Sequence, residues 1–164
     1  MNKTARSSGK VSVLFVCLGN ICRSPTAQGV FEVRALQRGV DVDVDSCGTG
    51  AWHVGAPPDA RATAEAAQRG YDLSHLRARQ FTVSDFDAFD YILAMDDQNL
   101  GELMQQRPDN YTGYLGLLLA FAPGVARREV PDPYYGGPSG FSEVLDLVET
   151  ASEGLLDAIA EGGR

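Results

Sequence analysis

Cysteine is scarce in this chain, and its scarcity bears on where the protein works. Only three cysteines occur among the 164 residues. A small, odd number argues against the disulfide framework by which small secreted domains make up for a limited core. The sequence therefore predicts a cytoplasmic protein with reduced thiols, and it leaves open an export route without a signal peptide.

Long hydrophobic runs are also missing. The basic segment "MNKTARSSGK" leads into only about seven apolar residues, fewer than the core of a signal peptide usually has. No run approaches the roughly 20 apolar residues that a membrane-spanning helix needs. We therefore expect no membrane insertion, and we expect residues 1–9 to be a flexible lead-in to one domain at 10–164.

Positive charge is in deficit as well. The 14 lysines and arginines stand against 22 acidic residues, so the formal net charge is −8 at pH 7. Such a surface repels a phosphate backbone at long range, and nucleic acid is therefore not an expected partner. Any anion that binds must be held by a local pocket.

What the chain does contain is strands that alternate with helices. Strands are predicted for "VSVLFVC" (11–17), "VDVDVDS" (40–46), "YILAM" (91–95) and, more weakly, "YLGLLL" (114–119). Helices are predicted from the N-cap Ser24 to Gly39, from Asp59 to Gly70, over 97–106 and over 141–160. This alternation indicates an α/β domain with a parallel sheet. The alternation of valine and aspartate places the second strand at an edge.

The segment "CLGNICRSP" (17–25) follows the first strand, at the sheet edge where ligands bind in such folds. A helix N-terminus offers free N–H groups and partial positive charge to an anion. Gly19 and Asn20 tolerate positive φ, so the loop can curl with its amides inward. Arg23 adds a bidentate donor for phosphate, and the same field favours the thiolate of Cys17. These residues predict a phosphoryl-transfer site; the alternative for Cys17 is a small buried apolar residue.

A thiolate that attacks a phosphomonoester needs an acid for the leaving oxygen. Asp132 lies between two prolines and precedes Tyr134 and Tyr135. The prolines restrict the position of the carboxylate, and the tyrosines have the size to line an aromatic slot. An ordinary Pro-Asp-Pro turn with surface tyrosines fits the local sequence equally well.

Four segments together resemble the low-molecular-weight protein tyrosine phosphatase family. They are "VLFVCLGNICRSPTAQ", "DSCGTGAWHVG", "AMDDQN" and "DPYYGG", and their order and spacing match the family over about residues 10–160. The resemblance implies a single-domain α/β fold. Its four-stranded parallel sheet would have the order 2-1-3-4, with helices on both faces.

The resemblance also implies roles for individual residues. Cys17 would be the nucleophile, Arg23 would bind phosphate and stabilise the transition state, and Asp132 would act as acid and then as base. Asn20 would hold the strained loop, and Ser24 would favour the thiolate. The residues expected to bind substrate are Leu18, Gly19, Asn20, Ile21, Cys22, Ser24, Trp52, Tyr134 and Tyr135.

Supporting roles follow from the same resemblance. His75 would link to the loop asparagine, and Asp96 would brace the pocket from behind while Asp97 caps the next helix. Cys22 would trap an oxidised nucleophile as a disulfide, or else would only pack. Trp52 would stack on the substrate ring, or else would lie in the core.

The expected reaction is hydrolysis of phosphotyrosine in tyrosine-phosphorylated proteins, with inorganic phosphate as product and without a metal or other cofactor. Two alternatives stay open. Thiol-coupled arsenate reductases look similar but need two further cysteines near the site, and only Cys47 lies outside the loop. A non-catalytic phosphate-binding module would keep Arg23 but could discard the nucleophile and the acid.

Overall fold

The computed structural model describes residues 10–134 and 139–162. The expected flexible lead-in at 1–9 and the expected substrate contact Tyr135 lie outside these residues. The elements are β1 (Val11–Cys17), α1 (Arg23–Gln37), β2 (Val42–Gly48), α2 (Ala60–Gln68), α3 (Asp85–Ala88), β3 (Tyr91–Ala94), α4 (Asp97–Gln106), β4 (Tyr114–Leu117), a 3₁₀ turn (Leu118–Phe121) and α5 (Ser139–Ala160).

The strands form one parallel sheet in the order β2-β1-β3-β4, as expected. Val16, near the end of β1, lies beside Cys47 on one side and Ala94 on the other. The carboxyl ends of these strands therefore share one edge of the sheet. β2 is an edge strand of the sheet, as the alternation of valine and aspartate predicts.

Alternate side chains of β1 face two separate cores. Phe15 packs edge-on against Phe31 of α1, with 5.6 Å between ring centroids, in a cluster that includes Leu145 of α5. Val16 points to the opposite face and packs in a cluster with Leu103 of α4. Helices thus cover both faces of the sheet, which confirms the predicted architecture. Each large apolar side chain buried in this way contributes about 1.5–3 kcal/mol.

The N-caps predicted for α1 and α2 have different outcomes. Asp59 caps α2 as expected, because its side chain accepts hydrogen bonds from the N–H groups of Arg61 and Ala62. The assignment of Ser24 as N-cap of α1 is wrong, since the helix begins at Arg23 and its N-cap is Cys22. The hydroxyl of Ser24 bonds instead to groups of the adjoining loop.

Two short elements, α3 and the 3₁₀ turn, were not predicted. Each has only four residues, too few for a helical period to appear in the hydrophobic pattern. Within the part of the chain that the structure describes, no helix is both long and apolar enough to cross a membrane.

Candidate active site

The loop that joins β1 to α1 lines a cavity of about 460 Å³ at the carboxyl edge of the sheet. We refer to residues 17–23 as the phosphate loop and to residues 130–134, on the opposite wall, as the acid segment. The cavity is lined by Cys17, Leu18, Gly19, Ile21, Cys22, Arg23, Trp52, His53, Asp132 and Tyr134. The structure therefore brings together the predicted nucleophile, cation and acid, which lie far apart in the sequence.

Asn20 shapes the phosphate loop from behind. It is buried, and among residues 10–134 and 139–162 it is the one non-glycine residue with positive φ, at 58°. Its side-chain Nδ2 donates to the hydroxyls of Ser24 (2.8 Å) and Ser46 (3.1 Å), and its Oδ1 accepts from the N–H of Arg79 (3.0 Å). These hydrogen bonds hold a backbone conformation that costs roughly 1–3 kcal/mol outside glycine.

Gly19 is required for a different reason from the one expected. It does not adopt positive φ, so only Asn20 supplies the predicted left-handed turn. A Cβ at Gly19 would lie 3.0 Å from Cδ2 of His53. Glycine therefore allows the imidazole to pack against the phosphate loop.

The sulfur of Cys17 receives hydrogen bonds from its own loop. The N–H of Asn20 donates to Sγ at 3.3 Å, and the hydroxyl of Ser24 lies 3.0 Å away. Since Ser24 accepts from Asn20, its single proton can go to Sγ or to the carbonyl of Cys47, which is 3.3 Å away. The sulfur therefore has two hydrogen-bond donors within reach, one from the loop backbone and one from the first turn of α1.

Arg23 lies almost fully buried beneath the cavity. Its Nη1 donates to Oδ2 of Asp96 at 2.8 Å and to the carbonyl of Val130 at 3.0 Å, and its Nη2 is 3.8 Å from Oδ2 of Asp132. Burial lowers the pKa of Arg23, but the charge of Cys17 and the bond to Asp96 outweigh it and raise that pKa overall. The guanidinium is therefore a permanent cation beside the thiol.

Asp96 holds Arg23 and also starts the next helix. Its Oδ1 accepts from the N–H of Asn99 at 2.8 Å, which makes Asp96 the N-cap of α4. The expectation that Asp97 caps this helix is wrong, because Asp97 lies in its first turn and pairs with Arg128 at 2.6 Å. A single carboxylate thus positions both the helix and the arginine.

The acid segment forms the rim of the cavity. Val130 is buried, and its N–H donates to the carbonyl of Met95 at 2.8 Å. Asp132 follows with its side chain 41% exposed, and its Oδ1 accepts from the N–H of Tyr134 at 3.0 Å. The Pro-Asp-Pro sequence is therefore part of the site rather than an isolated surface turn.

Aromatic side chains stand at the mouth of the cavity. Trp52 is 74% exposed, and a side chain at Gly50 would overlap its indole, so the alternative that Trp52 lies in the core is wrong. Tyr134 is 36% exposed on the opposite wall. His53 also lines the cavity, in keeping with the prediction that it lies with Trp52 in the loop that walls the pocket, although it was not among the expected substrate contacts.

Cys22 lies in the wall of the cavity as a neutral thiol. It packs with Ile21, Ala62 and Phe141. Burial, followed by the charges of Asp59 and Cys17, raises its pKa to about 12. It is one of three free cysteines, and the third, Cys47, is fully buried.

His75 does not take the expected place. The side chain of Asn20 bonds to Ser24, Ser46 and the backbone of Arg79, so the described hydrogen bonds do not join it to His75. His75 itself is exposed. Residues 72–79 contribute to the loop through a backbone amide instead of the imidazole.

Comparisons of the whole chain with known proteins return one family. A sequence profile described as low molecular weight phosphotyrosine protein phosphatase matches residues 12–164. A low molecular weight protein-tyrosine-phosphatase from Streptomyces coelicolor is 46% identical over 154 residues, which cover 91% of this chain and 93% of that protein. A low molecular weight phosphotyrosine protein phosphatase from Schizosaccharomyces pombe is 44% identical over 154 residues, with coverage of 92% and 97%.

Solved structures show the same relationship. The crystal structure of a protein tyrosine phosphatase from Entamoeba histolytica superimposes with a TM-score of 0.90 at 39% identity, covering 93% of this chain and 99% of that one. Neither the arsenate reductase nor the binding-module alternative is favoured by these similarities. The fold, the phosphate loop and the relatives agree, and this chain belongs to the low molecular weight phosphotyrosine protein phosphatase family, a family of cysteine-dependent hydrolases.

Proposed function

We propose that this protein hydrolyses phosphotyrosine in tyrosine-phosphorylated proteins through a phosphocysteine intermediate on Cys17. The observation that carries the proposal is the convergence of three groups on one cavity. They are a thiol with donors at its sulfur, a buried arginine, and a partly exposed aspartate at the rim. A nucleophile, an anion site and an acid are the parts that phosphoryl transfer to a thiolate requires.

Backbone groups and side chains have different parts in substrate binding. The phosphate lies on the backbone amides of 18–23 and on the Arg23 guanidinium, whereas the side chains of Asn20 and Ser24 are buried and support the loop from behind. The phenol ring enters between Trp52 and Tyr134. Preorganised amides and Arg23 provide the stabilising charge, so the proposed mechanism uses no metal.

The reaction then takes two steps. The sulfur of Cys17 attacks phosphorus in line, and the bond to the tyrosine oxygen breaks as Asp132 protonates that oxygen. The carboxylate of Asp132 next removes a proton from water, whose oxygen attacks phosphorus. The sulfur–phosphorus bond breaks, which restores the thiolate and releases inorganic phosphate.

We place this reaction in the cytoplasm on the basis of the thiol chemistry. Cys17 must stay reduced to act as a nucleophile, and Cys17, Cys22 and Cys47 are all free. A reducing compartment keeps Cys17 in that state.

Hydrolysis of two aryl phosphates tests the mechanism. Phenyl phosphate has a poor leaving group, and p-nitrophenyl phosphate has an acidic one. For each substrate, a chelator should leave the turnover rate unchanged. Cys17→Ser should abolish turnover of both while still binding inorganic phosphate. Asp132→Ala should lower kcat/KM for phenyl phosphate by a factor approaching ~10²–10⁴ and lower that for p-nitrophenyl phosphate much less. The comparison uses kcat/KM because kcat can report phosphocysteine hydrolysis.

Each part of the mechanism can fail separately. Residual turnover of Cys17→Ser within about tenfold of the parent would remove Cys17 as the nucleophile. Equal losses on both substrates would make Asp132 a positioning residue rather than the acid. Phosphate binding without turnover by the parent would indicate a binding module, and thiol-dependent reduction of arsenate would indicate a reductase.

A further inference from the structure

Arg61 connects helix α2 to the acid segment, and the proposed chemistry does not account for it. Its Cζ lies 5.3 Å from the ring centroid of Tyr134 and 4.8 Å from that of Phe141. Tyr134 belongs to the acid segment, and Phe141 is buried in the first turn of α5. The guanidinium therefore contacts one anchored ring and one ring at the cavity mouth.

Asp59 fixes the orientation of this guanidinium. Its two carboxylate oxygens accept from Nε of Arg61 at 3.1 Å and from Nη2 at 2.9 Å. The bond to Arg61 lowers the pKa of Asp59, so this carboxylate stays charged. The N–H of Asp59 also donates to the carbonyl of Ile21 at 2.8 Å. Arg61 is thus held at a fixed position relative to the phosphate loop.

The acid segment is anchored on both sides of Asp132. Before it, the carbonyl of Val130 accepts from Arg23. After it, Pro133 packs on Gly140, where an added Cβ would lie 3.2 Å from the proline Cβ. Because the carboxylate accepts from the N–H of Tyr134, the position of that tyrosine also sets the position of Asp132.

We propose that Arg61 is a positioning residue for acid catalysis, which holds Asp132 over the cavity through Tyr134. The inference rests on the proposed function of Asp132. Arg61 does not line the cavity, so it acts on the proton transfer and not on the bound phosphate. An exposed cation–π contact is worth about two- to fivefold in an equilibrium, which sets the size of the effect.

The two aryl phosphates separate positioning from simple stacking. Both carry one aromatic ring and differ by the nitro group opposite the phosphate, so a weaker contact between Tyr134 and the ring lowers kcat/KM for both to a similar extent. Misplacement of Asp132 instead lowers kcat/KM for phenyl phosphate selectively, because only its leaving oxygen depends strongly on protonation. The ratio of kcat/KM for phenyl phosphate to kcat/KM for p-nitrophenyl phosphate therefore reports the placement of the acid.

The experiment compares four variants with the parent: Arg61→Met, Arg61→Lys, Arg38→Met and Asp132→Ala. Methionine keeps the apolar stem of Arg61 and removes the planar cation, whereas lysine keeps the charge. Arg38 is a matched control, since it pairs with Glu153 and Asp157 beyond the other end of α1.

We expect Arg61→Met to lower the ratio about two- to fivefold, Arg61→Lys to lower it less, and Arg38→Met to leave it unchanged. Inhibition by inorganic phosphate should stay within about twofold of the parent in all three, because the phosphate loop is intact. Thermal melting checks that the variants are folded. If Arg61→Met does not fold, the ratio measured for Arg61→Lys decides the test.

A second substitution tests the route through Tyr134. In a Tyr134→Ala background, Arg61→Met should change the ratio no further; an additional loss would overturn the proposal. Equal losses on both substrates, or no loss, in Arg61→Met would also overturn it. If Asp132→Ala is selective and Arg61→Met is not, only this inference fails. If Asp132→Ala is unselective, the assignment of the acid fails as well.

Discussion

Asn20 adopts the backbone turn of the phosphate loop and also supplies the hydrogen bonds that hold it. Its residue type indicated the positive φ, because a short amide side chain tolerates that region. Its partners Ser24 and Ser46 could not be predicted, since one is in the helix and the other in the edge strand. The sequence therefore predicted the backbone conformation of Asn20 but not the hydrogen-bond partners that stabilise it.

Cys22 should trap an oxidised Cys17. Both residues line the cavity, and the charge of Cys17 contributes to the pKa of Cys22. Peroxide converts the thiolate to a sulfenic acid; the sulfur of Cys22 then displaces water, and a disulfide forms. Since the pKa of Cys22 is about 12, the reactive thiolate fraction, and hence the closure rate, should rise about tenfold per pH unit above neutrality.

Peptide mapping and reactivation by dithiothreitol measure this reaction. In Cys22→Ser the sulfenic acid has no partner thiol, so further peroxide should oxidise it to sulfinic acid and make inactivation irreversible, whereas Cys47→Ala should leave inactivation reversible because Cys47 is fully buried. A disulfide through Cys47, or only sulfinic acid at Cys17, would contradict the prediction. A closure rate that does not depend on pH would show that Cys22 is already ionised.

Long helices were predicted well and the four-residue helical turns were not, for a physical reason. Helix α5 has 22 residues; of the apolar residues that the sequence places on one face of it, Phe141, Val144, Leu145, Val148 and Leu155 are buried and Ile159 is partly buried. Helix α3 has four residues and shows no such stripe. Periodicity reveals an element only when several turns share one buried face.

Substitution by alanine should change the stability of the protein in opposite directions at two glycines, one in α5 and one in α4. A Cβ at Gly154 of α5 would overlap the carbonyl of Phe121 and lie 3.3 Å from Cδ of Pro123, whereas a Cβ at Gly101 of α4 would meet nothing within 4 Å. Gly154→Ala should lower the free energy of unfolding by about 1–3 kcal/mol through overpacking. Gly101→Ala should raise it by about 0.5–1 kcal/mol, because alanine loses less backbone entropy.

Urea unfolding followed by circular dichroism compares these two variants with the parent. The expected outcome is a lower midpoint for Gly154→Ala and a higher one for Gly101→Ala, with similar slopes. A stabilised Gly154→Ala would mean that α5 can move away from the 3₁₀ turn without cost.

The molecule as a whole is acidic, yet its proposed substrate is an anion. A net charge of −8 opposes the approach of a phosphorylated substrate, while in the proposed site Arg23 and the loop amides would attract it at short range. The two effects act over different distances, so salt should separate them.

The charge of the substrate around its phosphotyrosine should therefore decide the salt response. Between about 10 mM and about 150 mM salt, where the Debye length falls from ~30 to ~8 Å, kcat/KM for an acidic phosphopeptide should rise about two- to tenfold. A phosphopeptide of equal length with basic flanks should show a fall. Steady-state kinetics at constant pH measures both, and a fall for both peptides would show that the local cations dominate the encounter.

Neighbouring residues alone revealed the phosphate loop, the strand before it and the helix after it, because strand and helix periods and a short anion-binding turn are local properties. Contacts between distant segments decided the rest. The choice of Asp96 rather than Asp97 as helix cap depends on where Arg23 lies. The contact of Arg61 with Tyr134 depends on how α2 packs beside the acid segment. Side chains that meet across a fold are brought together by packing, and no spacing along the chain encodes their distance.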